Sequence, residues 1–173
     1  PVPQTVVLEL TGSSRDIADI EFPVLVKPVL RERAWEVAFD EKAILVECAD
    51  ALDRLLEALR PEHSRILVQQ FIPGPETQVE SYHVYVDASG DVAAEFTGRK
   101  LRTFPSARGY STAVTTSDSR DVAQVGREVV EKLQLRGVAK VDFKRDPKGR
   151  LWLLEINPRF NLWHHAGAAA GVN

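Results

Sequence analysis

Two apolar runs joined by a turn constrain this chain more than any other stretch. The first is residues 138–143 (VAKVDF), the second residues 151–160 (LWLLEINPRF), and the connector between them carries Pro147 and Gly149 where a tight turn wants them. The pattern predicts a β-hairpin. With Pro147 and Lys148 as the central turn residues, Asp146 pairs with Gly149, Asp142 falls opposite Leu153, and Lys140 falls opposite Glu155. Side chains alternate with period two, so Lys140, Asp142, Leu153, Glu155 and Asn157 share one face, and Val141, Phe143, Trp152, Leu154 and Ile156 the other. A single extra residue in the turn would move Asp142 to the opposite face.

That sorting gathers two carboxylates and an amide. Asp142 and Glu155 become diagonal neighbours about 7–8 Å apart, close enough to converge on one hard cation. Oxygen donors of this kind suit magnesium, which takes one or two carboxylates and fills the rest of its shell with water and phosphate oxygens. The alternative is an ordinary half-buried strand with a charged, solvated face.

Composition removes several function classes. Twenty-two basic against twenty-five acidic residues leave a net charge of −3, which offers nothing to attract nucleic acid or an anionic membrane. No apolar run approaches the roughly twenty residues of a membrane helix, and the N-terminus lacks a secretory signal. The single Cys48 has no internal partner, so a reducing cytoplasm is the expected location. The absence of methionine, even at position 1, predicts a piece of a longer polypeptide.

Along the chain, residues 3–10, 22–28, 43–47, 65–72, 77–87 and 92–101 read as strands and residues 13–20 as a weak helix. Leu52, Leu55, Leu56 and Leu59 fall at helical spacing behind an Asp50 cap, and Val125, Val129, Val130 and Leu133 mark a second helix over 122–133. Residues 102–119, with Pro105 and Gly109, read as a long polar loop. Residues 166–173 look like the start of another helix. This order argues for an α+β architecture of two small lobes with antiparallel sheets.

Three further groups carry chemistry. Lys27 closes a buried strand, where an ammonium either neutralises phosphate or reaches water. Residues 69–76 (QQFIPGPE) leave a strand at Pro-Gly-Pro; there the Gln70 carbonyl and the Ile72 N–H could read an adenine edge and Glu76 could accept from ribose hydroxyls, or the segment is a plain surface turn. Arg99 and Lys100 open the long loop, as a solvated mouth or as a clamp on an anion. Adjacent His164 and His165 point apart on a helix and have no acidic or Cys partner, so they are not expected to bind metal.

The motif Glu155-x-Asn157-Pro158-Arg159, preceded by Val141-Asp142-Phe143, resembles the metal-binding hairpin of the ATP-grasp superfamily, in the form of its carbamoyl-phosphate synthetase and D-aspartate-ligase-like branches. Residues 22–28 are similar to that superfamily's phosphate-binding strand, and residues 69–76 to its interlobe hinge. The resemblance spans nearly the whole chain. It implies an N-terminal lobe over residues 1–72, a C-terminal lobe over 73–173, a nucleotide cleft between them, and a preceding substrate domain that this chain lacks. It also implies ATP with Mg2+ or Mn2+, the metal on Asp142, Glu155 and Asn157, and the nucleotide on Lys27, Lys42, Gln70, Ile72 and Glu76. Arg159, with Arg99 or Lys100, would stabilise the transferring phosphoryl group. The implied activity joins a small carboxylate to an amine through an acyl phosphate, and a homo-oligomer would form through the missing domains. One departure stands out: residues 28–42 contain no glycine, where the superfamily has a glycine-rich loop over the phosphates, so either the Arg31/Arg33 segment replaces that loop or the phosphates are poorly covered. That departure gives weight to a second reading, a non-catalytic ATP-binding module of a larger assembly.

Overall fold

The computed structural model describes residues 1–10, 20–30, 33–39, 41–61, 63–104 and 110–172, without the side chains of residues 33, 34 and 36. The chain forms two compact units, one of Pro3–Ile72 and one of Pro73–Asn173 together with Pro1–Val2. The first two residues join the second unit because the Pro1 carbonyl accepts a hydrogen bond from the Leu153 N–H at 3.0 Å.

The Pro3–Ile72 unit contains β1 (Thr5–Glu9), β2 (Val24–Pro28), α1 (Arg33–Ala38), β3 (Ile44–Val46), α2 (Ala49–Leu59) and β4 (Arg65–Gln70). Its strands form an antiparallel sheet in the order β1-β4-β2-β3. Alternation sends Leu8, Val24, Val26, Val46, Ile66 and Val68 to one face, where they meet Leu52, Leu56 and Leu59 from α2. Cys48, not Asp50, is the N-cap residue of α2, and it makes no side-chain cap bond. Asp50 sits in the first helical turn, where its charge opposes the positive end of the helix dipole. In α1, which the sequence did not announce, Trp35 is 1% exposed, packs on Phe39 and His63, and donates its indole N–H to the Glu41 carbonyl. Residues 13–19, Arg31 and the Arg33 side chain lie outside the described residues.

The second unit contains a 3-10 turn at Glu76–Gln78, then β5 (Val79–Val86), β6 (Val92–Phe104), β7 (Tyr110–Ser117), α3 (Arg120–Lys132), β8 (Gly137–Arg145), β9 (Leu151–Asn157) and α4 (Trp163–Ala169). Its antiparallel sheet runs β7-β6-β5-β8-β9. The loop expected over residues 102–119 is largely strand: β6 continues to Phe104, and β7 pairs with it from Tyr110 to Ser117. Tyr110 to Ser117 is threonine-rich and β-branched, so it favours strand without the apolar alternation that would have marked it. Pro105 and Gly109 lie outside the described residues. The face of this sheet carrying Tyr82, Val84, Val141 and Phe143 packs on Val122 and Val130 of α3. Gly126 of α3 sits directly on the Tyr82 ring. Among the described residues no helix is long and apolar enough to cross a membrane.

Candidate functional site

The β8–β9 hairpin departs from its expected register twice, each time by one residue in the same direction, and the net shift of two returns Glu155 and Asn157 to the face expected of them. The Gly149 N–H donates to the Asp146 carbonyl at 2.9 Å and the Asp146 N–H to the Arg150 carbonyl at 3.0 Å, so three residues, not two, make the turn. Gly149 takes φ +81°, the left-handed conformation that glycine adopts without steric cost. The Asp146 carboxylate holds the turn by accepting from the N–H groups of Lys148 and Arg150 and from the Trp152 indole. The added residue makes Arg145 face Leu151, Lys144 face Trp152 and Phe143 face Leu153. A bulge at Leu154 then sets Asp142 directly opposite Glu155, Val141 opposite Ile156 and Lys140 opposite Asn157.

Lys140, Asp142, Glu155 and Asn157 therefore do share a face, with Asp142 and Glu155 as direct partners instead of diagonal neighbours. Leu153 and Trp152 exchange the faces expected of them: Leu153 packs with the core beside Phe143, and Trp152 lies beside Lys144.

Asp142 is 4% exposed. One carboxylate oxygen accepts from the Ser81 hydroxyl of β5, its direct cross-strand partner, and the other receives the Lys140 ammonium at 2.8 Å. Burial pushes the Asp142 carboxyl above its usual range, with Glu155 adding to the rise while Lys140 and Ser81 oppose it. Glu155 is exposed and accepts from the Asn157 side-chain amide at 3.0 Å. The Arg159 guanidinium reaches the Asn157 side-chain oxygen at 3.5 Å and the Phe160 carbonyl at 3.3 Å. Over this face lies α4. The Trp163 ring covers Gly98, where a Cβ would come within 3.2 Å of it, and the Lys140 ammonium stands 4.7 Å from the ring centroid.

The donor set fits a hard divalent cation: two carboxylates on paired strand positions and one amide oxygen, with nothing soft among them. Among the described residues no group of three or more His, Cys, Asp or Glu side chains is placed to hold a metal, so the fit rests on two carboxylates plus Asn157. His164 is instead engaged locally, its Nδ1 accepting from the Asn161 N–H at 3.1 Å.

Lys100 and Arg99, adjacent on β6, diverge. Arg99 is the partner of Glu80, which is in turn the partner of Phe143, so Arg99 projects from the face opposite Asp142. It borders a hydroxyl-rich depression with Thr115, Ser117, Ser119 and Arg145. As a clamp on anything held by Asp142, Arg99 is excluded by the sheet itself. Lys100 alternates back to the Asp142 face and meets the Glu76 carboxylate at 3.6 Å.

In the Pro3–Ile72 unit, Lys27 lies on the face of the sheet away from the core. Its ammonium donates to Gln69 Oε1 at 2.8 Å, and the Gln69 amide donates to the Thr5 hydroxyl at 3.0 Å. Gln69 and Thr5 are direct cross-strand partners, a relationship that no local pattern signals. Lys42, partly buried, precedes β3 by two residues. Gln70 ends β4 with its N–H bonded to the Gln4 carbonyl at 2.8 Å, and the side chain of Ile72 is 4% exposed. Sequence reasoning overlooked Ser81 and the engagement of Lys140, since both depend on which strands become neighbours.

A family model described as "ATP-grasp in the biosynthetic pathway with Ter operon" matches residues 62–173. A D-aspartate ligase from Enterococcus faecium (strain Aus0004) is 28% identical over 170 residues, covering 92% of this chain and 40% of that protein. A D-alanine–D-alanine ligase B from Pseudomonas syringae pv. tomato is 25% identical over 167 residues, covering 90% and 50%. The solved D-alanine–D-alanine ligase from Bacillus anthracis complexed with ATP superposes with a TM-score of 0.66 at 18% identity, over 98% of this chain and 55% of that one. The chain thus spans about half the length of the curated relatives it matches.

Proposed function

The chain belongs to the ATP-grasp family, and from that premise we propose that it is the nucleotide-binding part of an ATP-dependent ligase joining a carboxylate to an amine. The observation that carries this reading is the Asp142–Glu155 cross-strand pair with Asn157 on the same face. These three side chains would hold Mg2+ or Mn2+, which supplies charge neutralisation to the ATP phosphates. Lys27 and Lys42 contribute further positive charge to the phosphates. The Gln70 carbonyl and the Ile72 N–H receive the adenine edge, and Glu76 the ribose hydroxyls. Arg159 and Lys100, both on the metal side of their sheet, stabilise the phosphoryl group in transfer.

In this reaction a carboxylate oxygen of the substrate attacks the γ-phosphorus, the bond to the β-bridging oxygen breaks, and ADP leaves. The lone pair of the amine then attacks the acyl phosphate carbon, expelling inorganic phosphate with loss of a proton. The chain's own part is positioning and fixed charge, which carry most of the catalysis in phosphoryl transfer.

The test has two stages. Mg-ATP is expected to raise the melting temperature of the protein, through preferential binding to the folded state. An ADP-release screen against D-amino acids and small carboxylates with amine acceptors then separates a ligase from a nucleotide-binding module: carboxylate-dependent ADP release identifies the ligase. Absence of any Mg-ATP shift refutes both.

A further inference from the structure

We infer that Lys140 is the resident counter-cation of Asp142, and that a divalent metal ion enters the site by displacing the Lys140 ammonium from the carboxylate onto the face of Trp163. The inference rests on the metal reading above and assigns a role to a residue that reading does not use.

A carboxylate that is 4% exposed needs a partner of opposite charge, because burial without one carries a large desolvation cost. Ser81 offers only a hydroxyl dipole. Lys140 lies two residues before Asp142 on β8, hence on the same face, and delivers its ammonium to the second oxygen at 2.8 Å. Both Asp142 oxygens are thereby engaged, and since each keeps a further lone pair, a metal ion would bind either beside the Lys140 ammonium or in its place. A divalent ion and an ammonium on adjacent positions of one carboxylate would repel strongly in so buried a place.

The ammonium has somewhere to go. Its nitrogen already stands 4.7 Å from the Trp163 ring centroid, within cation–π range, and the stem of Lys140 is held where only 8% of the residue is exposed. On β5 its cross-strand partner is His83, which burial, His164 and Lys140 itself keep neutral, so His83 sets no positive charge against the move. Lys140 is thus a positioning residue: it holds the metal ligand in place before the metal arrives and makes metal capture an exchange of cations.

The test measures Mn2+ binding to the 173-residue protein without nucleotide, by the electron paramagnetic resonance signal of free Mn2+, in parent, Lys140→Met and Lys140→Arg proteins. Removing the competing cation is expected to tighten Mn2+ binding about tenfold in Lys140→Met, while Lys140→Arg stays near the parent. A merely structural lysine would give the opposite sign, with weaker binding from a loosened site. In addition, Mg2+ is expected to change the tryptophan fluorescence of the parent, and Trp163→Phe to abolish that change while still binding Mn2+. Equal or weaker Mn2+ binding by Lys140→Met overturns the inference and leaves the metal site standing. If Lys140→Met does not fold, the fluorescence experiment decides, and a Mg2+ response that persists in Trp163→Phe overturns it. Failure of parent and variants alike to bind Mn2+, with or without ATP, overturns the metal reading itself.

Discussion

Replacing Gly126 of α3 by alanine sets two known effects against each other. Alanine is the better helix former, worth about 1 kcal/mol over glycine in a helix interior. The contact opposes it: a Cβ at Gly126 would lie 2.3 Å from Tyr82 Cγ and 2.7 Å from Tyr82 Cβ. The ring cannot swing aside, since Tyr82 is 0% exposed and its hydroxyl is bonded to Glu95 at 2.6 Å. Overpacking of this kind costs about 1–3 kcal/mol, and so short a contact with an immobile ring belongs at the upper end. The net expectation for Gly126→Ala is a loss of about 2 kcal/mol, or a fall of about 10 °C in melting temperature for a unit of this size. A double-mutant cycle in urea isolates the cause. In a Tyr82→Ala background, which removes Cγ and the ring and leaves only the Tyr82 Cβ near the new methyl, Gly126→Ala should cost much less than in the parent. Equal destabilisation in both backgrounds would refute the argument, as would a Gly126→Ala protein no less stable than its parent. The contact matters to the site because Tyr82 adjoins Ser81, which holds Asp142.

Lys27→Ala should remove the thermal stabilisation by Mg-ATP, about 2.7 kcal/mol at a hundredfold excess over the parent's Kd, and the loss of its bond to Gln69 should lower ligand-free stability by roughly 1 kcal/mol. Arg99→Ala should bind Mg-ATP as the parent does and Lys100→Ala more weakly, in titration calorimetry, because the two side chains leave the sheet on opposite faces. Arg127 holds the Glu95 carboxyl below its usual range, so the stability this pair contributes is complete above the ordinary glutamate value and disappears as pH falls through the lower folded value; Glu95→Gln and parent urea midpoints should differ at pH 7 and converge in acid. Burial, then His164 and Lys140, lower His83 to about 2, so the unfolded chain takes up a proton near pH 6.5 that the folded protein refuses. Stability should then fall by about 1.4 kcal/mol per pH unit below 6.5, and His83→Leu should make that slope shallower by one proton.

Periodicity exposed those elements whose burial is one-sided and local. The leucines of α2 and the Lys27 strand, with its alternating core residues Val24 and Val26, were legible because each pattern is complete within a few residues. β7 was not, because it spends its β-branched positions on threonine, and Trp35 gave no helical period by which α1 could be found. Arg99 and Lys100 looked equivalent on paper. Alternation sends them to opposite faces, but only the register of β6 against β5, and of β5 against β8, decides which of the two shares the face of Asp142, and register is set by neighbouring strands, beyond the reach of local spacing.

The hairpin shows why a shared face can be foreseen from a wrong register. Strand parity is binary, so one extra residue between Asp142 and Glu155 would have separated their carboxylates, whereas two restore the shared face. The chain inserts both, one at Gly149 in the turn and one at Leu154 in β9. Each has a physical cause of its own: the left-handed glycine completes the three-residue turn that Asp146 holds together, and the bulge brings Glu155 directly across from Asp142. A diagonal pair would sit about 7–8 Å apart, but directly opposed positions bring the Cβ atoms to about 4.5–5.5 Å, within the span of a single cation. At that distance two carboxylates without a cation would repel, and the pressure falls on Asp142, the buried member. Lys140 answers it from the same strand, which is why the feature that makes the hairpin suited to a metal also requires a residue to stand in the metal's place.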